Sequence, residues 1–141
     1  MDQTPKLIPH EKTVLLVDDD ASIRAVVSHD LKDHYNVLVA GGGSEALRRS
    51  RGFAGEIHLL LTDFQLRGMD GIELANQIAV QRPGIKVLLM SGLTDGTIAL
   101  NEGWHFLAKP LIPSQLLATI AGLVSPGNML KPLTRHLKLG E

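Results

Sequence analysis

Four short patches of this chain carry the side chains best suited to polar chemistry: Asp18-Asp19-Asp20, Asp63, Ser91 and Lys109. Each directly follows an apolar run: Thr13 to Val17, Ile57 to Thr62, Lys86 to Met90 and Trp104 to Ala108. Carboxylates serve as ligands for hard cations and as nucleophiles, while an ammonium and a hydroxyl hold the oxygens of an anion. Three consecutive acidic residues repel one another unless a cation or solvent compensates them. A lone Asp63 at the end of a buried strand lies where open parallel α/β sheets bind their ligands.

Those groups need a framework, and the hydrophobic pattern supplies one. Short apolar runs alternate with stretches of helical spacing. After the first strand, Ser22 is expected to cap a helix with Ile23, Val26, Val27 and Leu31 on its buried face. A second strand runs from Asn36 to Ala40, Gly41-Gly42-Gly43 turns, and Ser44 is expected to cap a short helix through Arg51. Beyond the third strand, Ile57 to Asp63, Asp70 caps a helix from Ile72 to Gln81 that Pro83-Gly84 stops. Two more strands follow, Lys86 to Met90 and Trp104 to Ala108, and Pro113 suits the first turn of a last helix through Val124. Five strands alternating with helices predict a parallel sheet covered on both faces.

The totals bound the function. At 141 residues with 44% apolar content, one domain is expected, taken as residues 13–124 between a leader, 1–12, and a tail, 125–141. A formal charge of -1 and a pI near 6.6 give no global attraction to nucleic acid or an anionic membrane. The absence of Cys excludes disulfide and thiolate chemistry. No apolar run approaches the roughly 18 residues of a membrane span, and the first residues lack the core of a signal peptide, so a cytoplasmic protein is expected.

Taken in order, Leu15-Leu16-Val17-Asp18-Asp19-Asp20, Leu59-Leu60-Leu61-Thr62-Asp63 with Gly68-Met69-Asp70-Gly71, Val87-Leu88-Leu89-Met90-Ser91-Gly92 and Phe106-Leu107-Ala108-Lys109-Pro110 resemble the receiver domains of two-component response regulators. The resemblance covers roughly Thr13 to Val124. It implies a flavodoxin-like, doubly wound five-stranded sheet in the order 2-1-3-4-5. It also implies that Asp63 accepts a phosphoryl group from a sensor histidine kinase or phosphotransfer protein. Mg²⁺ would be held by Asp19, Asp63 and the backbone carbonyl of Gln65, and through water by Asp18. Lys109 and the Ser91 hydroxyl would bind phosphoryl oxygens, Ser91 and Phe106 would form the switch, and the Lys109–Pro110 bond would be cis. Output would be phosphorylation-controlled binding of another protein by a stand-alone receiver, not turnover of a substrate.

The interval between Ser91 and Lys109 is shorter than in most receivers and contains Gly92, Gly96 and Gly103, so the family's fourth helix is expected to be reduced. That favours a partner reading the first helix, the last helix or the loops. In the tail, Leu130, Leu133, Leu137 and Leu139 among basic residues allow a short amphipathic helix. Two other readings stand beside the receiver. One is a scaffold that binds partners without phosphorylation. The other is a phosphatase of the haloacid-dehalogenase type using Asp18, with Asp20, as nucleophile motif; that class needs an acidic motif after the lysine, and beyond Lys109 the chain has only Glu141.

Overall fold

The computed structural model describes residues 10–92 and 104–125. Its elements alternate: β1 (Thr13–Val17), α1 (Ala21–Leu31), β2 (Asn36–Ala40), α2 (Gly43–Gly52), β3 (Leu59–Asp63), α3 (Gly71–Gln81), β4 (Lys86–Ser91), β5 (Trp104–Ala108) and α4 (Pro113–Val124). All neighbouring strands are parallel, in the order β2-β1-β3-β4-β5. The reduced fourth helix of the family, the leader up to residue 9 and the tail beyond Ser125 lie outside the described residues.

The strand sequences explain why both faces are covered. Successive side chains of a strand point to opposite faces, so a continuous apolar run needs packing partners on each. Val14 and Leu16 of β1, Leu59 and Leu61 of β3, and Leu88 and Met90 of β4 pack with Val27 and Leu31 of α1 and Leu116 and Ile120 of α4. The alternate residues Leu15, Val17, Leu60, Val87 and Leu89 pack with Ala46 of α2 and Leu74, Ala75 and Ile78 of α3. Every residue of β1 is buried, and so are Leu59 to Thr62 of β3. The edge strands β2 and β5 are half-buried over most of their length.

Several local expectations require correction. Asp20, not Ser22, caps α1: its carboxylate accepts from the backbone N–H groups of Ser22 and Ile23 at 2.9 and 3.2 Å. The cap of α2 is Gly42, which has no side chain to offer, and Ser44 lies inside the first turn. Glu45 compensates by reaching back, its Oε1 accepting from the Gly41 N–H at 2.9 Å. The third strand starts at Leu59; Ile57 is buried, but the His58 side chain occupies the Thr13 N–H, Nδ1 accepting at 3.0 Å. Val26 is 61% exposed, because Ile23, Val27 and Leu31, four residues apart, form the stripe that faces the sheet. Asp70 does cap α3, accepting from the Glu73 N–H at 2.8 Å.

Packing on both faces gives a prediction that separates core from surface. Leu61→Ala, which empties a fully buried site in β3, destabilises the fold by about 3 kcal/mol. Val26→Ala changes stability by less than about 0.5 kcal/mol. Urea unfolding of the two variants beside the wild type checks both; a large loss in Val26→Ala would contradict the assigned face of α1.

Candidate functional site

The parallel order brings the carboxyl ends of β1, β3, β4 and β5 to one edge, and with them the four polar patches. Asp18 and Asp19 follow β1, Asp63 is the last residue of β3, Ser91 the last of β4, and Lys109 follows β5. One carboxylate oxygen from each of Asp18, Asp19 and Asp63 lies within 4.8 Å of the others. The Lys109 ammonium sits between two of them, 3.5 Å from Asp18 Oδ2 and 3.3 Å from Asp63 Oδ1.

Backbone contacts fix these positions. The Asp18 N–H donates to the Ala40 carbonyl at 3.2 Å, prolonging the β1–β2 ladder by one residue. The Lys109 N–H donates to the Ser91 carbonyl at 2.7 Å, prolonging β4–β5 in the same way. Phe64 donates to Met90 O and Gly71 to Phe64 O, both at 2.7 Å, folding the loop after Asp63 back over the end of its own strand. Gly71 is required there, because a β-carbon at that position would collide with the Asp63 carbonyl oxygen and crowd Phe64 Cα. The Lys109–Pro110 peptide is cis.

The three acidic neighbours have different surroundings. Asp18 is 1% exposed; its Oδ1 accepts from the Asp20 N–H at 2.9 Å, whereas its buried Oδ2 accepts no hydrogen bond among the described residues. Asp19 is half-buried and its Oδ2 lies 3.8 Å from Nε of the exposed Arg67. Asp20 turns away to cap α1. Burial raises the pKa of Asp63 above its ordinary value, the charges of Asp18 and Asp19 add to the rise, and the Lys109 ammonium opposes it.

This donor set fits a hard divalent cation. Three carboxylates converge, all with oxygen ligands, and one buried oxygen lacks a hydrogen bond that a cation or its water could replace. The remaining predicted residues differ in burial. Ser91 is buried at the tip of β4, and Phe106 is half-buried in β5 on the α2–α3 side of the sheet. Gln65 is exposed in the loop after Asp63. Two contacting residues were not anticipated from sequence: Arg24, whose Nη1 donates to the Asp18 carbonyl at 2.7 Å, and Arg67 beside Asp19. Arg24 stands four residues after the capping Asp20, a spacing that places it one helical turn from the acidic run.

Beside this rim lies an apolar groove of about 510 Å³, lined by Ser22, Ile23, Val26 and Val27 of α1 and by Lys109, Pro110 and Leu111. Among the described residues no helix is long and apolar enough to cross a membrane.

The charge arrangement predicts how stability depends on pH in the metal-free protein. Because the folded-state pKa of Asp63 is raised, the folded state holds that proton more tightly than the unfolded chain. The resulting stabilisation is present in acid and is lost as the pH rises through the folded-state pKa. Asp63→Asn removes the ionisation, so at pH 7 in chelator it melts a few degrees above the wild type. The difference shrinks toward zero as the pH falls below the ordinary carboxylate range. Melting curves from pH 3 to 8 check this; a variant no more stable at pH 7 would contradict the assigned burial and repulsion.

The family model for the response regulator receiver domain matches residues 14–121. The chain is 31% identical over 127 residues to the protein-glutamate methylesterase/protein-glutamine glutaminase of group 3 operon from Bradyrhizobium diazoefficiens, covering 88% of this chain and 35% of that protein. It is 32% identical over 113 residues to the sensor kinase CckA of Brucella abortus, covering 77% of this chain and 12% of that one. The chain thus spans only a minor part of these two relatives. Among solved structures, the receiver domain of the hybrid histidine kinase CckA superposes with a TM-score of 0.72 at 29% identity, over 80% of this chain and 99% of that one. A CheY-like receiver domain protein from Methanospirillum hungatei JF-1 gives 0.69 at 28% identity, over 92% and 98%. With the strand order, the acidic rim and the lysine at β5 already in place, these matches establish that the chain belongs to the response regulator receiver domain family.

Proposed function

We propose that Asp63 is the phosphoacceptor, that the transfer depends on Mg²⁺, and that the phosphorylated domain signals by binding another protein. The observation that carries this reading is the convergence of Asp18, Asp19 and Asp63 within 4.8 Å, with Lys109 between two of them. In the transfer, an Asp63 carboxylate oxygen attacks the phosphorus of a phosphohistidine. The new O–P bond forms as the P–N bond breaks, and the donor imidazole leaves with the electron pair. Asp19, Asp63 and the Gln65 carbonyl, with Asp18 through water, would hold Mg²⁺, which when bound would neutralise the charge that the incoming phosphoryl group meets.

The chain's own groups do the rest. Lys109 already touches Asp63 Oδ1 at 3.3 Å, so its ammonium has only a short way to move to a phosphoryl oxygen on that residue. The Ser91 hydroxyl donates to a second phosphoryl oxygen, and Phe106, two residues from the exposed end of β5, changes its packing in response.

The donor protein docks on the apolar groove, because it runs from α1 to Lys109 and therefore adjoins the acidic rim. A phosphohistidine brought to Asp63 must be carried on a surface that also covers this neighbouring ground. The occupant is an apolar helical face of the histidine kinase or phosphotransfer protein, matching Ile23, Val26 and Leu111.

Intact mass after incubation with acetyl phosphate, with and without Mg²⁺, tests the acceptor. A phosphoryl adduct is expected only with Mg²⁺ and is absent from Asp63→Asn; Lys109→Ala forms it about 10²-fold more slowly. An adduct that survives Asp63→Asn but is lost in Asp18→Asn would move the nucleophile to β1 and overturn the proposal. No adduct in any protein would leave a scaffold that does not use phosphate. For the groove, Val26→Asp is expected to slow transfer from a phosphorylated kinase at least tenfold while leaving the acetyl phosphate reaction unchanged. Equal slowing of both reactions would count against docking there.

A further inference from the structure

Three consecutive aspartates leave β1, and only one of them, Asp19, has a carboxylate with no strong hydrogen-bonded hold among the described residues. Its near neighbour is the side chain of Arg67, at 3.8 Å and 89% exposed, and such surface pairs restrain little. The backbone on either side of Asp19 is nevertheless anchored at both peptide groups. The peptide after Asp19 is held through the Asp20 N–H, which donates to Asp18 Oδ1 at 2.9 Å. The peptide before it is held through the Asp18 carbonyl, which accepts from Arg24 Nη1 at 2.7 Å. Asp20 then caps α1.

The guanidinium reaches the Asp18 carbonyl across ground left open at Gly41, just beyond β2. A β-carbon at Gly41 would stand 3.2 Å from Arg24 Nη1 and 3.7 Å from its Cζ. Gly41 itself is tied to α2 through its N–H and Glu45 Oε1 at 2.9 Å. Thus α1, the end of β2 and the end of β1 meet at one arginine.

We propose that Arg24 is a positioning residue of the metal site: by fixing the Asp18–Asp19 peptide it aims the Asp19 carboxylate at the cation. The proposal rests on the metal reading given above. It sets the role of Arg24 against its charge. A guanidinium near an acidic cluster, acting only as a charge, competes with a divalent cation and weakens its binding. A guanidinium acting as a clamp strengthens it by pre-organising a ligand. The two roles therefore predict opposite signs for its removal.

The experiment is a Mn²⁺ titration followed by the electron paramagnetic resonance signal of the free ion, on the full chain of wild type, Arg24→Ala and Gly41→Val. Thermal melting and the Mg²⁺ dependence of acetyl phosphate labelling are measured in parallel. Gly41→Val keeps the arginine charge but fills the ground its guanidinium occupies. Both variants are expected to raise the half-saturating Mn²⁺ concentration about tenfold, as loss of an outer support for a metal ligand does. The Mg²⁺ needed for half-maximal labelling rises equally, and the labelling rate at saturating Mg²⁺ returns to within about twofold of wild type.

Tighter Mn²⁺ binding in Arg24→Ala with no change in Gly41→Val would overturn the proposal in favour of a charge effect. Lower melting temperatures with unchanged Mn²⁺ affinity would overturn it in favour of a purely structural contact. A wild type that binds no Mn²⁺ would instead overturn the metal reading beneath it, so the two failures are distinguishable.

Discussion

The Lys109 ammonium lies between Asp18 and Asp63, and only the order of strands in the sheet brings those three charges together. In the order β2-β1-β3-β4-β5, β4 stands between β5 and β3, and β3 between β4 and β1. Adjacent strands are about 4.8 Å apart, so the lysine that leaves β5 must reach across the tip of β4 to contact residues two and three strands away. A long, flexible side chain with a compact charge meets that requirement, and a shorter cation would not. Ser91 occupies the tip that is crossed, and its carbonyl accepts the Lys109 N–H. The group that neutralises the rim and the hydroxyl at the end of β4 are thereby tied to one backbone junction.

Compensation at this rim is incomplete. Lys109 opposes the rise in the Asp63 pKa, yet burial and the two neighbouring carboxylates outweigh it. Asp18 Oδ2 stays buried beside the ammonium at 3.5 Å without a hydrogen bond, a longer and weaker contact than charged partners make when they bond directly. A rim satisfied by its own lysine would have little affinity for further positive charge. Here carboxylate exceeds ammonium, the condition under which the proposed cation would bind, and the same excess would repel an unaccompanied phosphoryl group.

Much of this was legible in the sequence because the strands are short, nearly all apolar and sharply ended. Thr13 to Val17, Ile57 to Asp63 and Lys86 to Met90 read as buried runs, within two residues of the strands observed, and buried runs alternating with helices leave few topologies. The polar residue ending each run then falls at the same edge. Helix caps were less legible. Asp20 and Ser22 are both good cap residues two positions apart, and the choice between them depends on how β1 delivers the backbone to α1. Val26 misled because Val26 and Val27 are adjacent on a helix, and periodicity alone does not say which borders the stripe. Arg24 was invisible for a different reason: its partner is a backbone carbonyl, and no residue type announces that.

The run Asp18-Asp19-Asp20 carries this point to the level of chemistry. Three identical side chains meet three environments within one turn of backbone: Asp18 is buried against Lys109, Asp19 is half-buried beside Arg67, and Asp20 is exposed on the first N–H groups of α1. What separates them is the change from extended to helical backbone, which swings successive side chains in different directions. Asp20 has φ and ψ of -94° and 112°, still extended, while Ala21 begins the helix. Moving that change by one residue would give the cap to Asp19 and remove it from the rim, without altering composition or charge. The position of the strand-to-helix junction, held by the Asp20 cap and by Arg24 on the Asp18 carbonyl, therefore decides which aspartates face the site.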